Sequence, residues 1–83
     1  MELSELNALV KVVQAGSFTR AAEQLGTQKA HLSRLLTRME ARLGVRLLHR
    51  TTRKLSLTVE GEVFHARCQE LLMGVEEAEA EVT

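Results

Sequence analysis

Gly16-Ser17-Phe18-Thr19-Arg20-Ala21-Ala22-Glu23-Gln24-Leu25-Gly26 is the run whose reading decides the fold. Gly16 can adopt the left-handed conformation that stops a preceding helix, and Ser17 is suited to cap a new one. Phe18, Ala21, Ala22 and Leu25 recur at helical spacing, and Gly26 ends the segment. The result is a short helix held between two glycines. The adjacent Ala21 and Ala22 offer a contact with little side chain, which two closely crossing helices require.

The same pattern extends to either side. Upstream, apolar residues at 3, 6, 9, 10 and 13 predict a first helix over residues 4–15. Downstream, a third helix begins two residues after Gly26, with apolar positions 32, 35, 36, 39 and 43 before Gly44 closes it. Two short helices separated by a glycine-containing turn form the helix-turn-helix pattern.

Beyond Gly44 the period changes. Val45, Leu47 and Leu48 are apolar, His49 to Lys54 is polar and basic, and Leu55-Ser56-Leu57 alternates as a half-buried strand does. Two short strands joined by a basic tip, a wing, are expected. The tip has neither glycine nor proline, which argues against a tight two-residue hairpin and for very short strands.

Thr58 is placed to cap a last helix running toward the end of the chain. Phe64, Cys68, Leu71, Val75, Ala78 and Val82 follow at alternating spacings of 4 and 3, a heptad seam. A helix this long exceeds what so small a core needs. Its first half is expected to pack on the domain and the remainder on a partner helix, with Leu72 beside the seam. A purely intramolecular seam is the alternative. The fold class is therefore mainly α: a three-helix core with a two-stranded wing over residues 1–57, then a dimerisation helix over 58–83.

Charge is distributed to match. The 83 residues are neutral overall, but residues 1–19 carry −1, residues 20–54 carry +7 and residues 55–83 carry −6. A basic middle attracts polyanions although the bulk charge conceals it. A single cysteine excludes an internal disulfide and suits a reducing compartment. No apolar run approaches a membrane span, and the start lacks the order of a signal peptide. The chain is read as soluble and cytoplasmic, nucleoid-associated when bound to DNA. Aspartate is absent, no glycine-rich phosphate loop occurs, and the three histidines lack a convincing nucleophile partner, so no enzyme is expected. His65 and Cys68 stand three apart on a helix without a second pair nearby, a spacing that fits core or seam better than a metal. No metal or cofactor is expected.

Taken in order, Gly16 to Leu25, Ser33-Arg34, Met39-Glu40, Leu43 to Leu48, Arg50-Thr51-Thr52-Arg53 and Leu57 to Gly61 resemble the DNA-binding region of LysR-type transcriptional regulators across nearly the whole chain. The resemblance implies a winged helix-turn-helix with a dimerising linker helix. It also implies a C-terminal effector-binding domain, which would begin where these residues stop. Small-molecule response is therefore expected of that domain and not of this one. Where the family often has Ser-Gln-Pro, this chain has Gln28-Lys29-Ala30, so its base preference should differ.

On this reading the third helix enters the major groove. Gln28, Lys29, Ala30 and His31 stand at its entrance, and Arg34 and Thr37 lie opposite its apolar face. Arg and Lys suit guanine, Gln suits adenine, and Ala can touch a thymine methyl. Ser33, Thr37 and Arg38 are expected at phosphates. In the wing, Arg53 suits a narrow minor groove. Thr51 and Thr52 lie beside it. Lys54 and Arg50 are expected at phosphates, with pairing of Arg50 to a carboxylate of the fold left open. His49 lies in the same basic region.

The dimer interface is expected at Phe64, Cys68, Leu71, Leu72, Val75, Ala78 and Val82, where Cys68 would be able to cross-link two chains. The expected function is sequence-specific binding of double-stranded DNA by a homodimer at an inverted repeat, with a log K against log[salt] slope of about −7 for about four phosphates per protomer. A helical adaptor module, or a truncated antagonist of a full-length regulator, is the competing reading.

Overall fold

The Gly26 turn has the predicted shape. Gly26 sits at φ 68°, a conformation that L side chains disfavour, and its N–H and that of Thr27 close back on the carbonyls of the preceding turn (Thr27 N to Ala22 O, 2.9 Å). In this computed structural model, which describes residues 1–50 and 54–83, that turn joins α2 (Phe18–Leu25) to α3 (Lys29–Leu43). Ahead of them lies α1 (Leu3–Ala15), ended by Gly16. After them come β1 (Leu48–His49), β2 (Ser56–Leu57) and α4 (Val59–Val82). Ser17 caps α2 by accepting the Arg20 N–H, as its position suggested.

The core is built where the three helices cross. Leu6, Leu9 and Val12 of α1 meet Leu32, Leu36 and Met39 of α3, and Ala21 and Ala22 fill the close approach of α2. Leu47 and Leu48 close the cluster from the base of the wing. The wing is a two-residue antiparallel ladder with Leu48 opposite Leu57 and His49 opposite Ser56. Such a ladder is too short to be stable alone.

Helix α4 is seated by three backbone-directed contacts. The Thr58 hydroxyl accepts the Gly61 N–H (2.9 Å) and donates to the Arg46 carbonyl (2.6 Å), while the Thr58 N–H reaches the Leu47 carbonyl (2.9 Å). Gly61 then passes directly over residue 47. A Cβ there would overlap the Leu47 carbonyl oxygen and stand 2.9 Å from its carbon. Alanine in a helix interior is ordinarily worth about 1 kcal/mol over glycine. Here the backbone clash reverses the sign. Gly61→Ala should destabilise the chain by about 1–3 kcal/mol in urea unfolding, and a gain in stability would show that α4 is not held this closely.

The first half of α4 packs on the domain, as its length suggested, and takes part of the seam with it. Cys68 is fully buried in the core of its own chain, and Phe64 and Leu72 pack against that same core. This corrects the placement of Cys68 on a dimer surface and its availability for cross-linking. On a straight α-helix residues 18 apart share one side, so Phe64 and Val82 face the same way and the division reflects α4 (Val59–Val82) outrunning the core. The first members of the stripe pack on the core, while Leu71, Val75, Ala78 and Val82 are exposed.

His65 shares the inner side of α4, and its Nε2 is buried without a hydrogen-bond partner among the described residues. Burial lowers its pKa and raises that of the Cys68 thiol. For His65 the unfolded chain takes up the proton first. Stability is thus complete above about pH 6.5 and is lost as pH falls from there through the lower folded value. Urea midpoints should fall between pH 7 and 5.5, and His65→Gln should flatten that dependence. An unchanged slope in the variant would assign the effect elsewhere.

Candidate nucleic-acid interface

The buried stripe of α3, Leu32, Leu36 and Met39, leaves the opposite side free, and there the sequence placed its readers. Lys29, Ala30, His31, Arg34, Thr37 and Arg38 are exposed, Gln28 is the exposed N-cap residue, and Ser33 is half-buried. Among the described residues, Lys29, Arg34 and Arg38 have no ion-pair partner. Arg34 and Arg38 share one exposed face of α3, while Lys29 stands at its first turn on the side of His49 and Arg50. The first half of α3 borders a groove lined by Ser17, Phe18 and Thr19 of α2, by Lys29 and Ser33 of α3, and by His49, Arg50 and Leu55 of the wing. The start of α2 therefore joins the basic face, which the sequence reading did not foresee. The Phe18 and Thr19 amides are first-turn N–H groups without helical acceptors, and such groups suit phosphate oxygens.

Glu40 was also missed. It lies on α3 only 5% exposed, among apolar side chains. Its Oε2 accepts the backbone N–H groups of Leu47 (2.7 Å) and Leu48 (3.2 Å), with Arg46 Nε 3.9 Å away. Its Oε1 takes Arg50 Nη2 at 3.1 Å. A carboxylate can be this deeply buried because every approach to it is a donor. The signal was available: position 40 continues the 32, 36, 39, 43 stripe and carries a charge where the period calls for an apolar group.

Arg50 thus follows the alternative its sequence reading left open, pairing with a carboxylate of the fold. Its Nη1 donates to the Thr37 hydroxyl at 2.8 Å, and its Cζ stands 5.5 Å from the centre of the Phe18 ring. Thr37 in turn donates to the Ser33 carbonyl at 3.0 Å. Guanidinium nitrogens only donate, so the single Thr37 hydroxyl hydrogen is committed to Ser33. The expectation that Thr37 gives this hydrogen to a phosphate is corrected accordingly. Lys54 is exposed. Thr51, Thr52 and Arg53 lie outside the described residues.

Among the described residues no three His, Cys or Glu side chains come together as metal ligands, and no helix is long and apolar enough to cross a membrane.

Comparison with known proteins bears on this face. Residues 3–62 match the family model described as bacterial regulatory helix-turn-helix protein, lysR family. A transcriptional repressor of Pseudomonas aeruginosa is 52% identical over 79 residues, covering 95% of this chain and 25% of that protein. The regulator CrgA of Neisseria meningitidis serogroup B is 50% identical over 78 residues, 94% of this chain and 26% of that protein. The chain thus spans about a quarter of the length of these curated relatives. Among solved structures, the DNA-binding domain of BenM in complex with catB site 1 DNA superposes with a TM-score of 0.95 at 36% identity, covering 99% of this chain and 92% of that one. CrgA superposes with a TM-score of 0.83 at 48% identity, over 99% of this chain and 28% of that one.

Proposed function

This chain belongs to the lysR family of bacterial regulatory helix-turn-helix proteins, and from that premise we propose that it binds double-stranded DNA sequence-specifically as a homodimer, reading an inverted repeat in the bacterial cytoplasm. The observation that carries the reading is the exposed face of α3 bearing Arg34 and Arg38, with Lys29 at the first turn of the same helix; none of the three has an ion-pair partner among the described residues. The likeness to a DNA-binding domain in complex with DNA supports it.

Gln28, Lys29, Ala30, His31 and Arg34 would meet base edges. Ser33, Arg38 and the first amides of α2 would meet phosphates. In the wing, Arg53 would enter the minor groove, with Thr51, Thr52 and Lys54 along the backbone. Residues 1–57 would form the reading head, and residues 58–83 the linker that pairs two protomers. Leu71, Val75, Ala78 and Val82 are exposed along α4, and there a second copy would pack, with Phe64 and Leu72 at the margin. Response to a small-molecule effector would belong to residues that longer relatives carry beyond the matched quarter.

Salt dependence tests the mechanism. With about four phosphates neutralised by each protomer, log K for a specific duplex should fall against log[salt] with a slope of about −7. A slope near zero with undiminished affinity would end the DNA-backbone mechanism and leave a protein partner for the basic face.

A further inference from the structure

We propose that Arg50 is a positioning residue: it fastens the foot of the wing to the middle of α3, so that wing and third helix meet DNA as one rigid surface. This rests on the DNA-binding reading above and goes beyond it by giving Arg50 and Thr37 a role other than contact with the ligand. The β1–β2 ladder has two residue pairs, too few to fix the direction of a wing. What it lacks is supplied from α3 and the start of α2. Glu40 Oε1 holds Nη2 at 3.1 Å, the Thr37 hydroxyl holds Nη1 at 2.8 Å, and the Phe18 ring lies 5.5 Å from the guanidinium carbon. A planar fork bound at two points has its orientation fixed, which a single contact would not achieve. The side chain is only 22% exposed, and withdrawing it to a phosphate would strip Glu40 of its partner on Oε1.

The Thr37 end of the tie is exposed and can be altered without opening the core. Thr37→Val removes the hydroxyl at nearly constant volume, and Thr37→Ser keeps it. In the free chain, amide order parameters of Lys54 to Leu57 should fall in Thr37→Val from about 0.85 toward about 0.6, and recover in Thr37→Ser. Affinity for an inverted-repeat duplex selected from a random pool should drop about tenfold in Thr37→Val, while affinity for a random duplex stays within about twofold. Thr37→Ser should restore both. Unchanged wing amides in free Thr37→Val would overturn the proposal, as would equal losses on selected and random DNA, which mark a phosphate contact. If the wild-type chain does not separate the two duplexes, the DNA-binding reading fails, and the order parameters of the free chain still decide whether the tie exists.

Discussion

Replacing Glu40 by alanine should cost about 3–5 kcal/mol, the largest stability loss expected of any single polar side chain described here. The substitution removes the acceptor of the Leu47 and Leu48 N–H groups, both on residues 1% exposed, and strands the Arg50 guanidinium over the Phe18 ring. Each buried donor left unmade costs about 1–3 kcal/mol, more where charge is involved. A domain of this size has about 4–12 kcal/mol in total, so the loss consumes much of it. At about 4–8 °C per kcal/mol, the thermal midpoint followed by circular dichroism should fall by at least about 12 °C. Glu40→Gln should fall between alanine and wild type, because it keeps an acceptor oxygen but loses the charge. A midpoint within a few degrees of wild type for Glu40→Ala would mean that β1 and Arg50 are held by something else.

Arg34→Ala should act in the opposite sphere, leaving the fold alone and impairing recognition. Arg34 is exposed on the face of α3 opposite Leu32, Leu36 and Met39, so its removal should change stability by no more than about 0.5 kcal/mol. A bidentate arginine contact to guanine discriminates by about 1–3 kcal/mol. A two-fold dimer loses it in both half-sites. Affinity for the selected inverted repeat should fall by about 2–6 kcal/mol, with much less change on random duplex. Arg38→Ala is the control: at a phosphate it should weaken selected and random DNA alike and make the salt slope shallower by about one unit per protomer. Equal behaviour of the two variants on both kinds of DNA would place Arg34 at the backbone too.

The helical part of the fold was legible because its boundaries rest on local chemistry. Ser17 and Thr58 accept from the N–H groups of Arg20 and Gly61, and Gly16, Gly26 and Gly44 take the left-handed conformation that closes α1, α2 and α3. These are short-range effects of residue type, and a sequence carries them openly. The wing was legible as a change of period, down to the brevity of its strands.

The long-range contacts were harder to read. Glu40 is a charge inside an apolar stripe, and its burial depends on donors from residues 46–50 that only the folded chain brings near. Arg50 could be assigned to phosphate or carboxylate with equal chemical sense until the distance to Glu40 was known. Cys68 sat on a correct heptad count, yet where a straight helix parts from its own core depends on the position of α1, and spacing does not encode that. Along α3, the residue types at 28–38 marked positions that the fold leaves mostly exposed. The placement of the first α2 amides beside the same groove was invisible, because backbone N–H groups have no residue signature.

Selection of bound sequences from a random DNA pool by the purified chain, at near-physiological salt, tests sequence-specific dimeric recognition most directly. The expected result is an inverted repeat whose half-sites each carry a base preference that Arg34→Ala relaxes. Recovery of no motif by a folded, dimeric chain would contradict it, leaving the basic face of α3 to nonspecific attraction or to an acidic protein partner.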